Sequence, residues 1–443
     1  MIILLSIILF IVFSLPMLYW RINGGELFSP IMITGFLHII TIIPYLILLN
    51  FDNSILGELV LNKINNVDIT VAKYVALQSI AYIFTIMGIY SKFANTISVK
   101  LPRFKVKITK KMYRTAFIVS FCIGFFGFVY MIQTSGGFNY LLSNIERRSS
   151  ILSGNGYIGS ITQLMTFSVI LLAYSKGIFN TRFKNFFILL SILIVVIIES
   201  MTGARKDSVY LIFFVFLVLH YGYKEFKKIP KKSIIVVVLV VFYAIIMPLI
   251  RSEGGIEKYN NHPSLLIEDS IESASNSLNG ISYVRHYMLI INEFNISNIW
   301  LGKSYLDLLY APLPSSIYEH KPPIDDGVYL RTIAGGSTVI PPTPFKEMFP
   351  SSWPIESFGA MYMNFWFIGI TLGMYLLGFI YKVAYNYMKV SGYSYFSILL
   401  YGHILLNFQL SNLRIVQALT FVFILFTFSL IFFGMKKEEI RQP

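Results

Sequence analysis

Few residues of this chain can do chemistry, because most of it is apolar, and arginine is conspicuous among them. Arg147 and Arg148 occur in NYLLSNIERRSS, Glu199 and Arg205 in ESMTGARKDS, Arg285 and His286 in ISYVRHYML, Arg331 in YLRTIAGGST, and Arg414 at the end of an apolar run. A guanidinium is permanently charged and grips phosphate through two parallel hydrogen bonds, so these residues suit an anionic ligand. Each also has a plainer reading. Arg205 snorkels beside Asp207, Arg147 and Arg148 anchor the amphipathic stretch 138–145 at an interface, Arg331 is a surface charge, or Arg414 caps a helix end. Arg285 lies among apolar residues, and a buried unpaired charge is expensive, so it needs Glu272, Glu293 or a bound phosphate. Acid–base work needs a carboxylate or imidazole near the proton that moves. Glu199 sits inside an apolar run, where a carboxylate is costly and usually functional, although it could instead pair with Arg205. His286 has the right unperturbed pKa. Glu319, His320, Asp325, Asp326 and Glu356 are further candidates, and the residue types leave the base open.

Other chemistries are disfavoured. The six histidines show no HExxH or paired metal spacing, and Asp325-Asp326 has no further ligands nearby, so neither a metal site nor another cofactor is expected. The single cysteine, Cys122, forbids a disulfide within the chain. No phosphate-binding P-loop occurs, which disfavours an ATP-driven pump.

These residues must be positioned by membrane helices. Of 443 residues, 56% are hydrophobic and 13% charged. The mean hydropathy is +0.67. Soluble domains are typically about 25% charged. A helix crossing a bilayer needs roughly 20 apolar residues, and by that measure about eleven spans are predicted. They lie near 2–20, 30–50, 73–91, 115–132, 158–175, 185–201, 208–223, 233–250, 357–381, 393–413 and 415–433. The first lacks a basic flank and a small-residue cleavage pattern, so it reads as a span rather than a removable signal.

The net charge of +14 would suggest nucleic acid in a soluble protein. Sorted by loop, it reads as topology. The connections 21–29, 92–114, 176–184, 224–232 and 382–392, with the tail 434–443, hold 22 of the 36 Lys and Arg but only four acids. The positive-inside rule puts that set in the cytoplasm. The N-terminus and residues 251–356 are then outside and the C-terminus inside, with no nucleic-acid partner. Three parts follow: spans one to eight over 1–250, one large outer loop over 251–356, and spans nine to eleven with a cytoplasmic tail over 357–443. The first half of the loop has helical spacing from Leu265 to Leu289. The second half is rich in proline, which fixes φ and forbids regular helix.

The loop also carries a resemblance. GKSY, then PLPSSIYEHKPP, then PSSWPIESFGAMYMNFWFIGI leading into a span, with TGARKDS earlier at a span end, resembles the Wzy-type oligosaccharide repeat unit polymerases of O-antigen and capsule. The resemblance extends over residues 136–370. It implies an all-α polytopic membrane protein, a GT-C-like helical bundle with one large periplasmic loop, in the bacterial inner membrane. It implies metal-independent glycosyl transfer between two undecaprenyl-diphosphate-linked glycans, donor and acceptor, with arginines stabilising the diphosphate leaving group. Arg205, Arg285, His286 and Glu199 become the expected catalytic set. Arg147, Arg148, Arg331, Arg414, Tyr305 of GKSY and Lys321 of IYEHKPP become expected substrate contacts. Membrane lipids, a chain-length regulator and a flippase become expected partners. An O-antigen ligase, or a flippase or transporter of lipid-linked oligosaccharides, is the alternative.

Overall fold

The computed structural model describes the chain except residues 106–108, 144–155, 178–183, 203–204, 228–238, 240–241, 244, 247–248, 251, 253–254, 263, 271–281, 315–316 and 438–443. The regular structure of the described chain is helical apart from a two-residue antiparallel ladder, β1 (Phe104–Lys105) with β2 (Lys436–Lys437). Six helical segments among the described residues are long and apolar enough to cross a membrane: Ile2–Ile22, Pro30–Phe51, Val67–Ile89, Lys110–Thr134, Ser357–Val390 and Asn412–Phe433. The predicted spans near 158–175, 185–201, 208–223 and 393–413 fall on shorter apolar helices. The span near 233–250 lies largely outside the described residues. The protein is therefore a helical membrane protein.

The chain forms two compact units. The first comprises Met1–Leu101, Leu278–Tyr387 and His403–Phe423. It contains α1 (Ile2–Ile22), α2 (Pro30–Phe51), α3 (Glu58–Leu61), α4 (Val67–Ile89) and α5 (Phe93–Lys100). The start signals are local: Pro30 opens α2, where its missing N–H is harmless, and the Asn66 side chain accepts from Ile69 N at 3.0 Å to cap α4.

The second unit comprises Pro102–Ser277, Met388–Gly402 and Ile424–Pro443. It holds α6 (Lys110–Thr134), α7 (Phe138–Ser143), α8 (Gly156–Tyr174), α9 (Lys184–Thr202), α10 (Arg205–Gly222) and α11 (Gly255–Asn261). Within it α8 packs on α6, α9 and α10, and Gly124 of α6 lies directly against the α8 backbone at Met165. Small residues permit such close approach where hydrophobicity gives no drive between helices.

Ahead of residue 357 the first unit holds α12 (Val284–Glu293), the 3-10 segment Lys303–Tyr310, and α13 (Asp326–Ala334). Residues 264–270, assigned to the second unit, are also helical, in keeping with the helical spacing of that stretch. Chain 357–390 then runs as α14 (Ser357–Ile368), a π turn at Gly369–Gly373 and α15 (Met374–Val390), with a kink at Trp366, whose φ is 51°. Gly88 of α4 and Gly378 of α15 meet backbone to backbone, against Tyr375 O and Thr85 O respectively. The last helices are α16 (Tyr395–Asn407) and α17 (Asn412–Phe433).

Candidate functional site

In the first unit the segment 349–357 threads past α12 and α13 and collects the charged side chains. Trp353 N donates to Gly327 O at 3.0 Å, and a Cβ on Gly327 would overlap Trp353 O, so only glycine lets this strand lie so close. Asp325 caps α13 through Gly327 N and also accepts from Ser352 Oγ at 2.6 Å. Thr332 Oγ1 accepts from Phe349 N at 3.1 Å. These bonds fix the Trp353 ring over α12.

Three cationic or aromatic groups converge on that indole. His286 stacks on it, with ring centroids 4.9 Å apart and planes at 17°. The Arg285 guanidinium lies 5.5 Å from its ring centroid, and that of Arg331 lies 5.3 Å away while also covering Phe349 at 3.9 Å. Both arginines are half-buried. Among the described residues neither has a carboxylate partner. Glu293, one expected partner of Arg285, pairs instead with Lys63 at 3.4 Å, and Glu272 lies outside the described residues. Cation–π contact holds the two guanidiniums without neutralising them. Two positive charges beside one ring form a seat for an anion.

His286 is arranged to orient rather than to titrate. Its Nδ1 donates to Pro354 O at 3.0 Å, and its Nε2 accepts from Arg285 Nε at 3.2 Å. Burial, with the adjacent Arg285 charge, lowers its pKa to about 3. The neutral ring thus has a fixed tautomer and holds Arg285 in place.

Next to it stands a conventional pair. Arg414 donates to Glu356 Oε1 at 2.8 Å and to Gln417 Oε1 at 3.0 Å. Tyr283, whose ring stacks beside His286 at 6.1 Å, also hydrogen-bonds Arg414. Burial and the Glu356 charge push the Tyr283 phenol up to about 12. The second Glu356 oxygen, Oε2, is buried without a hydrogen-bond partner among the described residues.

Beneath this layer lies a polar network. Asp326 accepts from Asn412 N at 3.0 Å and Asn412 Nδ2 at 3.3 Å, while the same Nδ2 donates to Ser304 O at 2.6 Å. Asn364 Nδ2 donates to Ser304 Oγ at 2.9 Å. Tyr329 donates to Asp307 Oδ2 at 2.8 Å, leaving Oδ1 buried and, among the described residues, unpartnered. Desolvation raises Asp307 to about 7 and Asp326 to about 6. Both folded-state values exceed those of the unfolded chain. The folded state therefore keeps protons that the unfolded state loses, and stability falls as pH rises from about 4 to about 7. The slope is about 1.4 kcal/mol per pH unit for one group. Asp307→Asn is isosteric with the neutral acid, so it should raise the melting temperature in detergent at pH 8 and do so much less at pH 4. An equal change at both values would show that Asp307 is not the group titrating.

The expected site residues thus fall into three sets. Arg285, His286, Arg331 and Arg414 come together in the first unit. Tyr305 and Lys321 belong to the same unit but act there as ties. Tyr305 donates to Leu410 O at 2.6 Å, and Lys321 Nζ donates to Leu313 O at 2.5 Å. Glu199 and Arg205 belong to the second unit, where Thr166 donates to Glu199 Oε1 at 2.8 Å. Arg205 opens α10, and its side chain lies outside the described residues, as do Arg147 and Arg148 entirely.

Trp353, Phe349 and Asn412 were not among the expected site residues. The one available signal was Trp353 itself, one of four tryptophans, placed before a proline in an extramembrane stretch. Compared with protein-family models, with curated proteins and with solved structures, the chain gives no match.

Proposed function

We propose that this protein joins lipid-linked oligosaccharide repeat units into a polysaccharide, by glycosyl transfer on the outer face of a bacterial inner membrane. The observation that carries the reading is the pair of guanidiniums, Arg285 and Arg331, held on Trp353 with no carboxylate partner among the described residues. The donor sugar is linked through its C1 to undecaprenyl diphosphate. The acceptor hydroxyl oxygen forms the new bond to C1 while the C1–O bond to the diphosphate breaks. The hydroxyl proton passes to a base, and the electron pair leaves on the diphosphate. Departure is slow unless that developing charge is met by preorganised positive groups in a water-poor site. Arg285 and Arg331 are placed for this task, with His286 fixing Arg285 and the Arg414–Glu356 pair alongside.

The second unit holds a cavity of its own. It measures about 410 Å³ beside α9 and α10 and is lined mostly by apolar side chains such as Ile192, Val196 and Ile212, with Lys176, Asn185, Ser208 and Tyr243 as the polar ones. Such a volume is in the range of ligand sites, and an isoprenoid chain suits its chemistry. In this reading all eleven spans cross the membrane, the N-terminus and residues 251–356 are periplasmic, and the C-terminus is cytoplasmic. A flippase supplies the substrate and a chain-length regulator acts with the polymerase.

The direct test is analysis of lipid-linked glycans in a strain lacking the protein. Loss of a polymerase leaves single repeat units on the lipid carrier. Long unligated chains would instead identify a ligase, and accumulation of repeat units confined to the cytoplasmic face would identify a flippase.

A further inference from the structure

The helical segment Ser357–Val390 is too long for the membrane that it crosses. Its 34 residues would extend up to roughly 50 Å at about 1.5 Å per residue if the parts on either side of the Trp366 kink were collinear, whereas the hydrocarbon layer is about 30 Å thick. The burial pattern shows where the excess lies. Residues Ser357 to Asn364 are all buried within the protein. Exposure starts at Phe365 and rises to 64% at Ile368 and 65% at Leu372. From Phe365 to Lys382 is 18 residues, or 17 steps of about 1.5 Å, close to 26 Å, which is comparable with one hydrocarbon layer. The exposed, lipid-facing surface of the segment therefore begins at Phe365, two turns inside the helix start.

The extramembrane chain meets α14 at that level. Trp300 N donates to Met363 O at 2.9 Å. A Cβ on Gly302 would lie 3.2 Å from the Phe365 ring, and Gly302 takes a φ of 83° to pass it. The Tyr305 ring stacks on Phe365 with centroids 6.2 Å apart and planes at 11°. The 3-10 segment Lys303–Tyr310 follows directly. Three residues per turn put Lys303, Leu306 and Leu309 on one edge and Ser304 and Asp307 on another. The second edge is wholly buried in the polar network, whereas Leu306 is 50% and Leu309 74% exposed. Ile317, a little further on, is 76% exposed.

We propose that this segment is a membrane-seated foot: Leu306, Leu309 and Ile317 enter the acyl layer beside Phe365, with Lys303 at the level of the lipid phosphates. The occupant of this apolar edge is the bilayer itself, because the edge continues the lipid-facing surface of α14. An amphipathic element with one apolar edge and a lysine at its start suits burial in the headgroup–acyl boundary. The stacked pair Tyr310 and Tyr318, with centroids 5.7 Å apart, supplies the aromatic groups that favour such an interface. The foot fixes the height of the polar network, and with it the Trp353 site, above the acyl layer.

The test uses the full chain with Cys122→Ser, so that a single new cysteine carries an environment-sensitive fluorophore. Labels at Leu309→Cys and, separately, Ile317→Cys are read in nanodiscs containing lipids spin-labelled near the top of the acyl chain. Leu419→Cys, exposed on α17, and Ile340→Cys, exposed on the extramembrane part, are the two references. Quenching at 309 and 317 comparable to that at 419, with protection from aqueous iodide, is expected. Quenching as low as at 340 for both sites, with free access of iodide, would overturn the proposal. Protection from both quenchers would overturn it too, because it would mean that a second copy or another protein covers the edge.

Discussion

Removing both guanidiniums, in the double variant Arg285→Ala/Arg331→Ala, is expected to abolish measurable polymer while leaving the protein at its normal level in the membrane. A hydrogen bond to a charged group contributes about 1.5–3 kcal/mol, and each 1.4 kcal/mol is about tenfold in rate. Each single alanine variant is therefore expected to lose about tenfold to a hundredfold in rate. The two effects should be less than additive, because both groups act on one diphosphate. Lysine variants separate charge from shape. Arg285→Lys keeps the charge but loses the bidentate fork, the planar contact with Trp353 and the Nε–H donated to His286, so it should recover little. Abundance should change little in any of these, because among the described residues neither guanidinium is tied to a carboxylate whose partner would be lost. Polymer of ordinary length and amount from the double variant would remove the anion site, and with it the main support for glycosyl transfer at this place. The readout is polymer length and yield from purified protein and lipid-linked repeat units, at matched protein amounts.

What the sequence made legible was set by one-dimensional chemistry. Long apolar runs mark the helices that are long enough to cross a membrane, because the bilayer imposes a minimum length on each. Arg285 also announced its need for a counter-charge, since charge among apolar residues is costly wherever the chain folds. The answer to that need was hidden. Glu293 is only eight residues away, yet it pairs with Lys63 from the other end of the unit. Trp353 becomes the centre of the site because Gly327 lets residues 352–353 approach α13, a contact with no trace in spacing. Asp326 was visible as half of an adjacent acidic pair that resembles a metal site. In the fold the two carboxylates part company, Asp325 capping α13 and Asp326 accepting from Asn412, 86 residues further on. Such long-range pairings depend on how helices assemble, which local composition does not encode.

Glu356→Gln is expected to lower the polymerisation rate by about a hundredfold or more, the range that a positioned general base supplies. The argument turns on which group has a lone pair to give. His286 was the natural candidate by type, but its Nε2 lone pair receives Arg285 Nε–H, and its pKa is depressed to about 3 by burial and by that cation. Accepting a proton there would place a second charge against Arg285. Glu356 is the opposite case. Its Oε1 is held by Arg414 at 2.8 Å, which fixes the carboxylate, while Oε2 is buried with no hydrogen-bond partner among the described residues. Of the two groups it is therefore the one with an uncommitted lone pair for the acceptor hydroxyl proton. Glutamine has the same shape and still accepts from Arg414 through Oε1, so the Arg414 contact and the start of α14 survive while basicity is lost. His286→Gln should then act differently. It should lower the rate moderately by loosening Arg285, far less than Glu356→Gln does. His286 also has a stability signature. Its folded-state pKa lies below that of the unfolded chain, so the stability it contributes is present above about pH 6.5 and is lost as pH falls toward 3. His286→Gln should therefore flatten the loss of melting temperature between pH 6.5 and 4. Near-normal polymerisation by Glu356→Gln, together with a dead His286→Gln, would return the base to the imidazole and leave Glu356 as the anchor of Arg414.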